Sequence, residues 1–355
     1  MKVLINTPDM TKLGGVSNIN RILSKYLDKD SVSFFVVGNR TGEKKGFPRL
    51  LKDYSEFVKT IKKGKIDIVH LNPSLDPKCI IRDSVFLILS KLYKRKVLVF
   101  FHGWQEDTEQ KLKKYFHFLF KRAIKSVDLI IVLSDKVKKK LTEYTDSKKI
   151  LIKNTVVEDE FNEKAEELLN STTRKNNQIL FLSRVEKAKG IYEAIDAFII
   201  LINEIEDLSF IVAGDGTELE NVKEYVLKKG IKNISFPGFV KGQKKIDYYI
   251  SSSLYIFPSY AEGMPTTVLE AMICGLPIVT TNVGGLTDFF ANGKMGFITD
   301  DKNPQNLAGL VKKILIENNL RSEISIYNRE YSKKNFLGSK LAADLIECYE
   351  AILKK

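Results

Sequence analysis

The sequence predicts an α/β protein made of two doubly wound, parallel-sheet domains, and three observations carry that prediction. A length of 355 residues exceeds what one core usually supports, and 44% hydrophobic with 28% charged residues is a globular composition, neither disordered nor fibrous. Short apolar runs alternate with longer stretches of helical periodicity. Those runs are continuous rather than alternating, which implies strands buried on both faces, as in parallel sheets covered by helices.

The strand candidates of the first half are KVLIN, VSFFVV, IDIVH, KVLVFF, DLIIVLS and KILI; those of the second are QILFLS, LSFIVAG, NISF, LYIFPS, PIVTT and GFI. Between the two series lies a polar stretch poor in β-branched residues, so a linker is expected over 158–177. It separates an N-terminal domain over 1–157 from a C-terminal domain over 178–335, and a last helix is expected over 336–355. Two open sheets in tandem leave a cleft between them, and ligands of such sheets bind beyond the carboxyl ends of the strands.

Three cysteines, Cys79, Cys274 and Cys348, are odd in number and lack metal-ligand spacing, and the N-terminal apolar run is broken at Asn6 and Pro8. These features point to a reducing, cytoplasmic setting. The longest apolar runs fall far short of the roughly 20 residues that span a bilayer.

Charge is unevenly placed. Residues 1–150 carry 32 Lys+Arg against 16 Asp+Glu, whereas the remainder carries 25 against 28. Such asymmetry suggests a nucleic acid, a polyanion or an anionic membrane face beside the first half, with plain solvated lysine faces as the other reading. No nucleic-acid reading motif or stacking platform accompanies it. Within 111–125, Leu112, Tyr115, Phe116, Leu119 and Ala123 recur at helical spacing, which predicts a scaffold helix packed on the sheet. Phe118 and Phe120 lie off that stripe among lysines and would suit a membrane interface, on the cytoplasmic face, reached through a lipid-linked acceptor.

Nearly every residue with chemical character follows a strand. Gly14 and Gly15 stand between KVLIN and a helix, where backbone N–H groups can meet an anion at the positive end of the helix dipole, although the spacing is not that of a dinucleotide site and a simple turn is the alternative. His102 ends KVLVFF beside Gly103; with His70 and His117 it completes the three histidines, none of them at helical metal spacing. Arg184 follows QILFLS and Lys189 follows five residues later, a planar fork and a point charge suited to a diphosphate without metal. AGDG offers a tight turn, and FPGFV places Gly238 after another strand.

The stretch AEGMPTTVLEAM sets Glu262 and Glu270 eight positions apart. On one helix that is roughly 12 Å of rise and about 80° of rotation, so the two carboxylates would hold different parts of a long ligand. Pro265 suits the first position of a helix and Gly275 its C-terminal cap, leaving Glu262 in the loop and Glu270 inside the helix. A phosphate at the helix start with hydroxyls on either side describes a nucleotide sugar.

At these residues the sequence resembles glycosyltransferase family 4. SRVEKAKG, AGDG, FPGFV and above all EGMPTTVLEAMICGLPIVTTNVGG, with its E-x7-E, look like that family's nucleotide-sugar domain, and GGV, DIVH, HGW, VDLIIVLS and NTVVEDEF extend the likeness over almost the whole chain. The resemblance implies a GT-B fold and a retaining, metal-independent transfer of a hexosyl or N-acetylhexosaminyl group from a nucleotide diphosphate sugar, with UDP the commonest nucleotide, to a glycan or lipid-linked acceptor in cell-envelope polysaccharide assembly. No cofactor is expected, and the acceptor belongs mainly to the N-terminal domain. By position, Glu262 would hold the donor sugar's hydroxyls, Glu270 the ribose, and Arg184 with Lys189 the diphosphate leaving group. Gly15, with Gly14, would match the glycine loop near that diphosphate, and His102 would touch the transferring sugar. Gly263, Met264, Pro265 and Thr266 would form the sugar and phosphate cradle, with Gly238 on the donor side, and the last helix would cross back to the first domain.

Some positions depart from the family pattern. The junction reads KNTVVED where P-N-G-V-D is usual, keeping Asn154, and Asp288 stands where glutamate is more usual. No convincing carboxylate nucleophile for a double displacement is found. DKD at 28–30 imitates a metal-binding D-x-D but follows the first helix in an expected surface turn. A nucleotide-sugar epimerase of similar layout and a non-catalytic nucleotide-sugar-binding subunit are the rival readings; the E-x7-E region with its Arg and Lys partners favours transfer.

Overall fold

The computed structural model describes residues 1–12, 14–38, 47–73, 77–104, 106–172 and 174–354. Leu13 of the glycine loop, Thr173 of the expected linker and Lys355 of the expected last helix lie outside them. The chain forms two compact units, Met1–Val156 with Gly338–Lys355, and Val157–Leu337.

The first unit runs β1 (Val3–Thr7), α1 (Gly15–Tyr26), β2 (Val32–Val36), α2 (Phe47–Lys63), β3 (Ile68–Leu71), α3 (Pro77–Leu92), β4 (Lys96–Phe101), α4 (Glu106–Tyr115), α5 (His117–Ser126), β5 (Leu129–Val132), α6 (Asp135–Leu141) and β6 (Ile150–Ile152). Its strands are parallel, in the order β2-β1-β3-β4-β5-β6. Every residue of β1, β3 and β5 is buried, as continuous apolar runs demand. Phe35, Phe57 and Phe86 pack edge-to-face under the sheet, the last two with ring centroids 4.7 Å apart.

The second unit runs α7 (Asp159–Ser171), β7 (Gln178–Leu182), α8 (Ile191–Leu201), β8 (Ser209–Ala213), α9 (Leu219–Lys228), β9 (Ile234–Gly238), α10 (Gly242–Ser251), β10 (Leu254–Phe257), α11 (Thr266–Ile273), β11 (Ile278–Thr281), β12 (Gly296–Thr299), α12 (Pro304–Ile316) and α13 (Asn318–Asn335). Its parallel order is β12-β11-β10-β7-β8-β9. Strand order therefore reverses between β1 and β3 in one sheet and between β7 and β10 in the other, and these switch points are where ligands of open α/β sheets bind. All twelve expected strands are present, and the fold is doubly wound α/β in both units.

The last helix, α14 (Gly338–Leu353), belongs to the first unit and packs on α1. A Cβ added to Gly338 would lie 2.4 Å from Ile22 and 2.8 Å from the Tyr26 ring, so only glycine allows this approach.

Three expectations are corrected. The segment expected as a linker is largely helix: α7 takes up Asp159–Ser171, with acidic Asp159 and Glu160 in its first turn and Asn162 and Ala165 as its buried positions. Its polar composition reflects a mostly solvated helix rich in good helix formers, not a connector. The single helix expected over 111–125 is broken at Phe116, whose φ of −132° and ψ of 15° are not helical. The break re-aims the apolar stripe: Leu112, Phe120 and Ile124 are buried, whereas Tyr115, Phe116 and Leu119 are exposed along with Phe118. Pro265 is the N-cap of α11 rather than its first helical residue.

Candidate active site

In the second unit the loops after β7 and β10 meet because those strands are neighbours at the switch point. Backbone holds them together: Tyr260 N–H donates to the Ala188 carbonyl at 2.9 Å, and the Ser259 hydroxyl oxygen lies 3.1 Å from the same carbonyl. Gly190, at φ +73°, closes the turn that carries Lys189; a Cβ there would sit 2.1 Å from the Pro258 carbonyl. Lys189 and Glu262 consequently form an ion pair at 2.5 Å with side chains only 12% and 13% exposed, and the Ser259 hydroxyl donates to the same carboxylate oxygen at 2.9 Å. Arg184 points elsewhere, pairing with Glu186 at 2.6 Å with its side chain 68% exposed.

The cradle after Glu262 is fixed by a second glycine turn. Gly285 N–H donates to the Gly263 carbonyl at 2.8 Å, and a Cβ on Gly284, at φ +56°, would lie 2.2 Å from that oxygen. Met264 is buried, and α11 starts at Thr266 without a side-chain cap, so its leading N–H groups are left for a ligand or solvent. Glu270 is buried on α11, where Lys245 reaches it at 2.5 Å and the Tyr249 hydroxyl donates to its other oxygen at 3.0 Å. Lys245 and Tyr249 stand four apart on α10 and so share one face. Burial, reinforced by the Glu270 charge, pushes the Tyr249 phenol well above its ordinary range, which keeps it a donor. Gly238 ends β9 at φ +72°, and its carbonyl accepts from Gly214 N–H at 2.8 Å.

In the first unit the polar residues gather where β1, β3 and β4 end. His102 follows β4 and stacks on Phe100, ring centroids 4.1 Å apart. Its Nε2 lies 2.7 Å from Asn72 Oδ1, and Asn72 Nδ2 donates to the Asn6 carbonyl at 2.9 Å. His70, fully buried in β3, has its Nδ1 2.7 Å from the Tyr349 hydroxyl of α14. Burial pushes His102 down to about 3. Burial, then His102 nearby, pushes His70 down to about 3 as well, with Asn72 opposing. Just past His102, Trp104 Nε1 donates to Glu109 at 2.6 Å; burial raises that carboxyl, but Lys140, Trp104 and Lys113 outweigh it and hold it at about 2. Gly14 is the N-cap of α1 and Gly15 its first residue; neither faces a crowded Cβ position, and α1 has no side-chain cap.

The family profile "Glycosyl transferases group 1" matches residues 161–331, and "Glycosyltransferase Family 4" matches 13–160, so the two abut. The chain belongs to the family 4 glycosyltransferases. It is 26% identical over 309 residues to an uncharacterized glycosyltransferase of Methanocaldococcus jannaschii, covering 87% of this chain and 82% of that one. It is 27% identical over 197 residues to the capsular polysaccharide biosynthesis glycosyltransferase CapM of Staphylococcus aureus, a match spanning 55% of this chain and about half, 51%, of CapM. Among solved structures, HepE of Anabaena in complex with UDP superposes with a TM-score of 0.75 at 18% identity over 99% of this chain and 100% of that one, a likeness of fold. The chain thus has the GT-B glycosyltransferase fold, each unit contributing one six-stranded parallel sheet.

In this glycosyltransferase the residues singled out by sequence fall into separate groups. Lys189 lies in the turn after β7, Glu262, Gly263, Met264 and Pro265 in the loop after β10, and Thr266 and Glu270 on α11, with Gly238 at the end of β9; Gly14, Gly15 and His102 belong to the first unit. Sequence reasoning missed Lys245, Tyr249 and Asn72, whose partners are distant along the chain, and also Ser259, which stands three residues before Glu262 in the same loop. It also undervalued AGDG: a Cβ on Gly214 would lie 1.8 Å from the Ser183 carbonyl and one on Gly216 2.4 Å from the Val185 carbonyl. Among the described residues no group of three His, Cys, Asp or Glu is arranged as metal ligands, and no helix is long and apolar enough to cross a membrane.

Proposed function

We propose that this glycosyltransferase moves a hexosyl or N-acetylhexosaminyl group, with retention and without a metal, from a UDP-sugar to a glycan or lipid-linked acceptor of a cell-envelope polysaccharide. The observation that carries the reading is the largely shielded Lys189–Glu262 pair at the β7/β10 switch point, beside the uncapped start of α11. The second unit binds the donor and the first the acceptor. As the glycosidic bond to the diphosphate breaks, positive charge grows at the anomeric carbon and negative charge on the leaving phosphate. Lys189 and the α11 N–H groups stabilise the phosphate, and the exposed Arg184 side chain turns to it from its pair with Glu186; Glu262 and Glu270 accept from sugar and ribose hydroxyls. Gly14 and Gly15 approach the diphosphate, and His102 contacts the transferring sugar. Gly263, Met264, Pro265 and Thr266 shape the cradle, with Gly238 beside them. The UDP assignment is supported by HepE, whose structure holds UDP, and the polysaccharide role by CapM.

The acceptor arrives at an anionic membrane face. What supports this is the α4–α5 corner, where Tyr115, Phe116, Phe118 and Leu119 are exposed, Phe118 by 72%, among lysines and Arg122. Thermal stability in excess EDTA with UDP, GDP, ADP or TDP tests the donor: UDP alone should stabilise, by roughly 2.7 kcal/mol at 100 times its dissociation constant. Stabilisation that requires a divalent ion would overturn the metal-free reading, and stabilisation by another nucleotide would replace UDP.

A further inference from the structure

Helix α3 is apolar on two faces. Phe86 and Leu87 are buried in the core of the first unit, with Ile80 and Leu89 packed against it. The opposite face carries Ile81, Val85, Ile88 and Leu92; the first, third and fourth are 61%, 58% and 71% exposed, and Val85 is half-buried. A surface helix ordinarily turns a polar side outward, and one that is apolar all round is covered on both sides. These four outer residues recur at spacings of four, three and four, the seam by which two helices interlock knob into hole.

The flanks of the seam indicate what covers it. Arg82 and Lys91 border it and both are engaged within the chain: Arg82 grips Asp83 at 2.8 and 2.9 Å, and Lys91 pairs with Asp128. With its cations neutralised, this face has little to attract an anionic bilayer, unlike the lysine-rich α4–α5 corner. It does suit a copy of itself. About a two-fold axis between Val85 and Ile88, two antiparallel α3 helices set Ile81 opposite Leu92 and Val85 opposite Ile88. The flanking positions then bring Arg82 beside Leu89 and Lys91 beside Ser84 of the other copy, so no cation meets a cation.

We propose that the outer face of α3 is a homodimer interface, in which two copies of this chain pair their Ile81–Leu92 seams antiparallel about a two-fold axis. The inference does not rest on the glycosyl-transfer reading. A standard interface uses roughly 20–30 residues a side, more than one helix of 16 residues supplies, so the dimer is weak and depends on concentration. Residues 1–150 carry 32 Lys+Arg against 16 Asp+Glu, so two such halves repel at long range, and salt strengthens the dimer by screening that repulsion. Binding to anionic vesicles responds to salt with the opposite sign.

Sedimentation velocity of the full chain is the test. Between about 5 and about 200 µM the weight-average mass should climb from one chain toward two, and should climb further when salt is raised from about 50 to about 500 mM. Ile88→Glu sets a carboxylate in each half of the seam and should keep the chain monomeric throughout, with the thermal stability of the dilute wild type because the side chain is exposed. Leu227→Glu, on α9 of the second unit and 78% exposed, should dimerise like the wild type. A wild-type chain that stays at the mass of one copy at every concentration and salt overturns the proposal whatever the variants do. An Ile88→Glu protein that dimerises like the wild type overturns it as well. A monomeric wild type whose sedimentation with anionic vesicles is lost in Ile88→Glu would give this face to lipid and overturn the second copy as its occupant.

Discussion

The Glu262 carboxylate accepts from the Lys189 ammonium at 2.5 Å and from the Ser259 hydroxyl at 2.9 Å, and both ions are mostly withdrawn from water. Removing one partner of such a pair strands the other, which costs about 3 kcal/mol, whereas removing both charges together costs far less. Glu262→Ala should therefore lower the stability of the second unit by about that amount, and the Lys189→Met/Glu262→Gln double variant should recover most of it in urea unfolding. Transfer should fall at least about 100-fold in both, because the transition-state charges lose their partners whether or not the fold is repaired. Equal stability of the single and double variants would show that the pair is not coupled. Glu270 differs: it is held by Lys245 and Tyr249 beside the expected ribose, away from the breaking bond, so Lys245→Met should raise KM with little change in kcat. The E-x7-E residues were legible in the sequence because their spacing lies within one loop and helix. Lys245 and Tyr249 were not, since they reach Glu270 only when the fold brings α10 beside α11, and Ser259, three residues before Glu262, has a hydroxyl that nothing in the local pattern marks as a partner.

The elements were legible to the extent that local pattern decides them. Continuous apolar runs marked all twelve strands, and in inner ones such as β1, β3 and β5 burial on both faces leaves no polar alternation to confuse with a helix, while the edge strands β2, β9 and β12 are only partly buried. Polarity alone misjudged α7, which buries little and so has the composition of a connector while having the propensities of a helix. The Phe116 break defeated periodicity for another reason: one non-helical residue shifts the phase of all that follow, so Phe120 turns inward and Leu119 outward. The exposed corner this creates supports a prediction about the element pair. The full chain should sediment with anionic vesicles and be released by salt, and Phe118→Ser with Leu119→Ser should weaken that binding several-fold without lowering thermal stability, since neither side chain is buried. Absence of binding at low salt would remove the membrane from the proposal. In the second unit, Gly190→Ala forces a Cβ to within 2.1 Å of the Pro258 carbonyl at a left-handed φ, so the β7 turn must move. It should cost more than the roughly 1 kcal/mol of the left-handed conformation alone, and reduce nucleotide binding by displacing Lys189.

At the scale of the molecule, the chain leaves its first unit at Val156 and re-enters it at Gly338, so the first unit is complete only when α14 has returned to it. Packing on α1 through Gly338 holds one end of that helix, and the Tyr349 hydroxyl on His70 Nδ1 holds its inner face. The lysine at the end of the first-unit chain segment adds an ion pair, Lys153 to Asp344 at 2.8 Å. Because burial pushes the His70 pKa down to about 3, far below the ordinary value near 6.5, the unfolded chain takes up a proton that the folded chain refuses. The sign follows: stability from the neutral ring is complete above pH 6.5 and is lost as pH falls toward 3, by about 1.4 kcal/mol per pH unit. The groups around the ring are His102, Asn72 and Tyr349; no carboxylate is among the causes of its shift, and the Asn72 side chain, which alone favours the charged form, is outweighed by burial and His102. Urea midpoints of the full chain at pH 7, 6 and 5 should therefore fall more steeply in the wild type than in His70→Gln, which has no proton to gain. The variant should be the less stable protein at pH 7, having lost a buried ring, and the gap should narrow as pH falls. Parallel pH dependence in the two proteins would mean that His70 does not titrate on unfolding.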